Sequence, residues 1–332
     1  MEKVIKINIY FFNVGHGDSS VIEAVTKSDS KRYIVIDTSI HFMNGLICCP
    51  VHDFLSARDI KKIDYLIVTH PHRDHYSAIE NLLENYDIGK IVVPPILDFR
   101  NEKYKELIEA FRTAIRQCMK KADGFRFGSL LYLLEYLEKH PDKILSGGID
   151  RIFPDRFDGF NGFTRSIDIN CSKLSNGADT YLSFLFDPLW NECSVISHFN
   201  CFGYNILFPG DSTVDELNAF IDCHALHIDV LKASHHGSLY GTNREFVQRI
   251  IKDRLHLVIS ADGENSSELI RGLKGLNVSF YCTNTSKWCM GEPICSNFIK
   301  NVPCKGTIQF SFDKDGFSVS HTCQSNNCSN AL

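Results

Sequence analysis

A chain of 332 residues with 44% hydrophobic and 23% charged residues has material for a sizeable core, which excludes a disordered or fibrous chain. Its net charge of -5 excludes a global pull toward nucleic acid, so any phosphate partner must be met by a local basic patch. No apolar run approaches the roughly 20 residues that a membrane-spanning helix needs, and Met1 to Lys6 leads directly into a strand pattern without signal-peptide features, so a soluble cytoplasmic protein is expected.

The N-terminal stretch predicts a meander of three strands, Lys6 to Phe12, Ser19 to Glu23 and Tyr33 to Ile36, joined by turns rich in Gly, Asp and Ser. A short helix over Val51 to Asp59 follows, then a buried strand from Tyr65 to Val68, a helix from Tyr76 to Tyr86 and a strand from Ile91 to Val93 that Pro94-Pro95 stops. Strands and helices thus alternate, which is the pattern of an α/β fold.

Residues 98–175 break that rhythm and read as a largely helical insertion in a single domain spanning 1–332, placed to cap a substrate. Tyr104 to Lys120 and Leu130 to Lys139 have amphipathic helical periodicity, and a Gly-, Asp- and Phe-rich stretch without clear period follows. Basic residues of the first helix interleave with Glu102, Glu106 and Glu109, as on a solvated face. The balance tilts basic toward its C-terminal end, where Arg112, Arg116, Lys120, Lys121 and Arg126 are the candidates for contacting a phosphate backbone.

The alternation resumes with predicted strands Tyr181 to Phe186, Ser194 to Phe199 and Tyr204 to Phe208. It continues through a helix near Val214 to Ile221, a strand Ile228 to Lys232, a helix Asn243 to Lys252 and a strand Leu257 to Ser260. Two last strands, Thr307 to Phe312 and Phe317 to Ser320, flank the turn Asp313-Lys314-Asp315-Gly316. Thirteen cysteines are scattered with no Cys-x-x-Cys pair. The late set Cys282, Cys289, Cys295 and Cys304 fits no common zinc ribbon, so reduced and mostly buried thiols are expected.

The chemistry concentrates at strand ends. Directly after Tyr65-Leu66-Ile67-Val68, the run Thr69-His70-Pro71-His72-Arg73-Asp74-His75 packs three imidazoles and a carboxylate into six residues. A tight turn there can aim His70 and His72 at one cation while Asp74 and His75 face a second, and this donor set suits zinc, manganese or iron. A carboxylate able to bridge two cations should also end a strand, and Asp211 does so after Asn205 to Phe208 and Pro209-Gly210. The strand through Leu231 and Lys232 then runs into His235-His236-Gly237-Ser238. One of these two imidazoles can ligate the second cation while the other contacts a substrate oxyanion or supports a ligand, and the sequence leaves them interchangeable.

These motifs resemble the metallo-β-lactamase-fold hydrolases, with H-x-H-x-D-H, a bridging Asp and a final His in that order. The resemblance is strongest to the branch containing the soluble hydrolase domain of the DNA-uptake channel protein ComEC. Its further marks are matched by Val14-Gly15-His16-Gly17-Asp18, where the branch usually has Gln at the position of His16, by Ile36-Asp37-Thr38 and by Asn191-Glu192-Cys193-Ser194. The resemblance covers about residues 4 to 320 and implies an αβ/βα sandwich of two mixed sheets flanked by helices, with the site at one edge. It implies two divalent metal ions, zinc or manganese, held by His70, His72, Asp74, His75, Asp211 and His235 or His236, with Asp18, Asp37 and Asn191 supporting them. The third imidazole that the wider superfamily gives the first cation has no counterpart here; Asn191 stands nearest its slot, and His198 lies in an apolar strand and reads as a core histidine.

The expected activity is a metal-dependent phosphodiesterase or nuclease acting on nucleic acid or a nucleotide, with water activated between the cations as nucleophile, Asp74 orienting it, and His235 or His236 countering charge on the phosphoryl oxygens. Two alternatives stay open: hydrolysis of a small nucleotide, ester or lactam, and a non-catalytic metal-binding or signalling module of the same fold.

Overall fold

The computed structural model describes residues 2–43, 46–120, 128–152, 157–166, 185, 188–260, 264–283, 298–299, 302–303 and 306–323. Its strands form two large sheets. The first has the spatial order Gly316–Cys323, Gly306–Asp313, Glu2–Phe11, Ser19–Thr26, Lys31–Thr38, Lys62–Ile67, Asp87–Val93 and Ile144–Ser146. Its early strands pair antiparallel as the predicted meander, and from Lys31–Thr38 onward the pairing is parallel. The second sheet runs Val278–Cys282, Leu255–Ile259, Val230–Lys232, Tyr204–Phe208, Ile196–Cys201, Phe160–Arg165 and Gly148–Ile152, with its first four strands parallel.

The period-2 alternation of side chains explains how the layers stack. Ile9 and Phe11 point between the sheets, whereas Tyr10 and Phe12 join the outer cluster under the helices. Ile206 and Phe208 likewise face inward and Leu207 outward. Phe11 of one sheet stacks on Phe208 of the other with ring centroids 5.3 Å apart. Each such ring, fully removed from water, contributes about 1.5–3 kcal/mol. Helices Pro50–Ser56, Ile79–Asn85, Lys105–Met119 and Gly128–Lys139 cover the first sheet; Val214–His224, Arg244–Ile250 and Glu264–Gly272 cover the second. The result is the αβ/βα sandwich of two mixed sheets flanked by helices. No helix among the described residues is long and apolar enough to cross a membrane.

Several elements differ from expectation. The helix expected over Tyr76 to Tyr86 is two, Arg73–Tyr76 and Ile79–Asn85. The break is held by Ala78 N–H donating to Thr38 O at 2.8 Å and Ile40 N–H donating to Ser77 Oγ at 2.9 Å, which ties the turn to the neighbouring strand end. The stretch 98–175 is helical only to Lys139: strands at Ile144–Ser146, Gly148–Ile152 and Phe160–Arg165 rejoin the two sheets. Glycines hid them, because Gly148 sits where a Cβ would lie 2.2 Å from Thr164 O, so close backbone approach replaces an apolar side chain. Helix Glu264–Gly272 and strand Val278–Cys282 were not anticipated. The expected strand Tyr181 to Phe186 falls outside the described residues except for Leu185, and Cys289, Cys295 and Cys304 lie outside them too. The described cysteines are free thiols, most of them buried.

Candidate metal centre

Four parallel strands end at the same edge of the sandwich, and each delivers part of the cluster. Asp37 stands near the end of Lys31–Thr38, His70 to His75 follow Lys62–Ile67, Asp211 follows Tyr204–Phe208, and His235 and His236 follow Val230–Lys232. The carboxyl ends of parallel strands are where α/β sheets gather ligand-binding groups.

Close backbone packing brings these ends together. Gly210 has φ +59°, and a Cβ there would lie 2.8 Å from Thr69 Cβ and 3.1 Å from Ser194 Cβ, so only glycine lets Asp211 approach the histidine turn. Val195 N–H donates to Thr69 O at 2.9 Å, and Asp211 N–H donates to Ser194 Oγ at 3.2 Å. Three non-glycine residues of the site, Asp37, His235 and His236, are left-handed, with φ of 53°, 48° and 53°. Each such conformation costs about 1–2 kcal/mol, so surrounding contacts must impose it. Asp37 accepts from Thr69 N–H and Thr69 Oγ1 at 2.8 Å each, and His235 N–H donates to Gly210 O at 3.2 Å.

Asp211 is the hub. Its Oδ1 lies 3.3 Å from His75 Nε2, and its Oδ2 lies 3.7 Å from His70 Nε2, 3.7 Å from His236 Nε2 and 3.9 Å from His235 Nε2. His72 joins through His70, with 3.0 Å between His70 Nε2 and His72 Nδ1. Asp74 Oδ2 sits 3.0 Å from His236 Nε2 and 4.0 Å from His75 Nε2. One donor group of cation-binding dimensions is His70, His72 and Asp211; His75, His236, Asp211 and Asp18 form a second, which Asp74 adjoins. The fit to metal is supported by His75 Nε2 and Asp211 Oδ1, buried atoms that face each other at 3.3 Å and make no hydrogen bond to any other group. Groups of this kind are costly to bury unless something coordinates them.

The structure separates the two histidines that the sequence left interchangeable. His236 is buried with Nε2 facing Asp74 and Asp211, whereas the His235 side chain is 40% exposed on the solvent side of Asp211. Asp18 and Asp37 are occupied behind the cluster. Asp37 Oδ2 lies 2.7 Å from His75 Nδ1. Asp18 accepts from Ser260 Oγ and from Lys232 Nζ, at 2.7 Å for the latter, and its Oδ1 lies 3.6 Å from His236 Nδ1. Carboxylates in this position fix the tautomer and aim of a ligating imidazole. Sequence reasoning missed Lys232. It follows Val230 by two positions, so period 2 turns it inward between the sheets, where a buried ammonium requires a carboxylate.

His198 is buried away from this cluster, with Nε2 3.1 Å from Asn205 Oδ1, and burial pushes its pKa down to about 4. Arg112 is not placed to meet a phosphate: it is buried, and its guanidinium donates to Glu109 and Glu138 at 2.7 Å each, clamping the two insertion helices together. Arg116 and Lys120 are exposed; Lys121 and Arg126 lie outside the described residues. A cavity of about 860 Å³ opens between Arg73 and helices Ile79–Asn85 and Gly128–Lys139. Asp53, Glu80, Glu84 and Glu135 line it, so its walls are no phosphate track.

Without cations the charges are balanced by protons. Burial disfavours an imidazolium at His236, but Asp211, Asp18 and Asp74 outweigh it and raise the pKa to about 10. At His75 burial is likewise outweighed by Asp211 and Asp37, which hold it well above the ordinary imidazole value. Burial opposes ionisation of Asp211 and Asp74, yet the neighbouring histidines hold both carboxyls low. His70 is pushed down by burial and by His75. Metal ligation requires neutral imidazoles, so filling the site at pH 7 must expel protons from His75 and His236. Calorimetric titration with zinc in buffers of different ionisation enthalpy will show net proton release, and apparent affinity will rise with pH between about 6.5 and 10. The metal-free fold has the opposite dependence. A raised folded-state pKa stabilises fully below about pH 6.5 and is lost as pH climbs toward 10. Affinity independent of pH across that window would contradict the assignment.

Residues 12–163 match the family model described as the metallo-beta-lactamase superfamily. ComE operon protein 3 of Bacillus subtilis is 26% identical over 203 residues, which are 59% of this chain and 20% of that protein. Among solved structures, a mutant of the CmlA beta-hydroxylase is 12% identical with TM-score 0.44, covering 82% of this chain and 52% of its own. CmlA itself, a diiron beta-hydroxylase from Streptomyces venezuelae, is 12% identical with TM-score 0.38, covering 84% and 53%. The chain therefore spans a fifth of the curated relative and about half of each solved chain. The matched residues 12–163 contain the His70 to His75 turn, whereas Asp211, His235 and His236 are brought to the same edge by strand ends outside the match.

Proposed function

We propose that this protein is a metal-dependent phosphodiesterase whose substrate is nucleic acid or a nucleotide. The observation that carries the reading is Asp211, a buried carboxylate ringed by the Nε2 atoms of His70, His75, His235 and His236, with His72 and Asp74 on its two sides. Two divalent cations, zinc or manganese, held by His70, His72 and Asp211 and by Asp74, His75, Asp211 and His236, would lower the pKa of water toward neutrality and offset phosphoryl charge. The chain supplies the rest. Asp74, reached from solvent and hydrogen-bonded to His236, orients the attacking water and takes its proton. His235, held at its backbone by Gly210 O and exposed at its ring, meets the phosphoryl oxygens as charge builds on them. Asp18 and Asp37 hold His236 and His75 from behind.

Nucleic acid is favoured by the resemblance to the ComEC-type hydrolase domain. A panel of chromogenic phosphodiesters, single- and double-stranded nucleic acids, esters and lactams, run with zinc and with manganese, tests this. Phosphodiester turnover should fall by about 100-fold or more in His72→Ala, beyond the loss of an outer partner. Turnover of esters or lactams alone would move the substrate class, and none in the metal-loaded protein would leave a binding module.

Arg116 and Lys120, both exposed at the C-terminal end of helix Lys105–Met119, are the described basic residues proposed to contact a phosphate backbone. The double charge reversal Arg116→Glu, Lys120→Glu should reduce the slope of log affinity against log salt by about 0.7–0.9 for each phosphate that is no longer neutralised. An unchanged slope would remove both residues from the interface.

A further inference from the structure

We propose that His16 is an additional ligand to the cation held by Asp74 and His236, a site residue that the two strand-end histidine motifs do not include. The inference rests on the dinuclear reading above and adds a donor to it.

His16 lies on the turn between strands Glu2–Phe11 and Ser19–Thr26, and its backbone is fixed against the histidine turn. Asp18 N–H donates to Asp74 O at 3.0 Å. Gly17, with φ +133°, passes so close that a Cβ would lie 2.6 Å from Asp74 O and from Ser39 Oγ. Gly15, with φ +74°, turns the chain just before it, and its N–H donates to Asn13 Oδ1 at 3.0 Å. His16 sits between these two glycines, so the turn sets the direction in which its side chain leaves the backbone.

The His16 ring lies over the His236 ring with centroids 4.4 Å apart, and its Nε2 is 3.5 Å from Asp74 Oδ2. Asp74 Oδ2 is also the oxygen that faces His236 Nε2 at 3.0 Å. One ligand atom from each of His16, Asp74 and His236 therefore lies within 4.8 Å of the others, the span expected of donors around a single cation. The His16 side chain is 57% exposed, so it adds a donor on the solvent side of Asp74 and His236. The cation beside Asp74 and His236 then gains an imidazole beyond the two strand-end motifs, whereas the one beside His70 and His72 gains none. That asymmetry makes the first the tighter site and the second the exchangeable one.

Cobalt titration of the full chain, followed by visible absorption and by metal analysis, tests this. The wild-type chain should bind two equivalents in two steps. In His16→Ala the tighter step should weaken by about tenfold or more, the effect that losing even an outer partner has, and its visible band should shift as the ligand set changes. The weaker step should stay in place. Equal affinities and superimposable spectra in the two proteins would overturn the role of His16 while leaving the dinuclear site intact. A wild-type chain that binds no cobalt would overturn both. Because His16 is exposed, the metal-free variant should melt at the wild-type temperature, and the same difference should appear with His16→Asn if folding is not at issue.

Discussion

Asp211→Asn should abolish phosphodiester turnover, with a loss of about 10³-fold or more, and should leave a chain that retains neither cation at stoichiometric metal. The amide keeps the size of the carboxylate but removes the charge that both donor groups share. Loss of an outer partner costs roughly 10–100-fold in affinity or activity, and a bridging position must exceed that. The same change destabilises the metal-free fold, because the imidazoliums of His75 and His236 lose the carboxylate that most favours them. Removing one partner of a buried charged pair costs about 3–5 kcal/mol. Metal analysis, steady-state kinetics and urea unfolding each read one of these effects, and an Asp211→Asn protein that still holds two cations would disprove the bridging position.

Lys232→Met should lower the stability of the metal-free protein by about 3–5 kcal/mol, without touching any proposed cation donor. Lys232 and Asp18 form a buried pair 2.7 Å apart between the sheets, and methionine leaves that carboxylate without its ammonium. Burial pushes the Asp18 carboxyl up, but Lys232, His236 and His75 override it and hold the group well below the usual range. A depressed carboxyl contributes stability above its unfolded pKa of about 4 and loses it as pH falls further. Loss of Lys232 raises the folded-state value, so the acid side of the stability profile should flatten. The double variant Asp18→Asn, Lys232→Met should recover much of the loss, because no charge is then left unpaired. Metal affinity should also weaken, through the hold of Asp18 on His236. A double variant as unstable as Lys232→Met would show that packing and not charge pairing is at stake.

The residues legible in the sequence share one property: each sits where an apolar strand stops. His70 to His75, Asp211 and His235-His236 announce themselves because a rigid strand followed by a turn of donors has few other uses. Asp18 and Asp37 could be placed behind the ligands only through a resemblance, and their contacts with His236 and His75 follow from strand ends that meet in space. Lys232 was written into the pattern but hidden, because its inward direction matters only once the second sheet is known to face the first. His16 was hidden more deeply, since its approach to Asp74 depends on Gly17 meeting the Asp74 carbonyl across 57 residues of chain. Between His235 and His236 the sequence had no basis for choice; left-handed backbone at both turns one inward and leaves the other at the surface. The insertion was legible as helices and illegible as strands, because Gly148 and Gly162 replace apolar residues where strands crowd together.

Anomalous diffraction at the absorption edge of the bound metal will show whether two cations share Asp211. Crystals grown with zinc or manganese should show two separate peaks, one beside His70 and His72 and one beside Asp74, His75 and His236, with the Asp211 carboxylate between them. A single peak, or peaks that leave Asp211 uncoordinated, would contradict a shared Asp211.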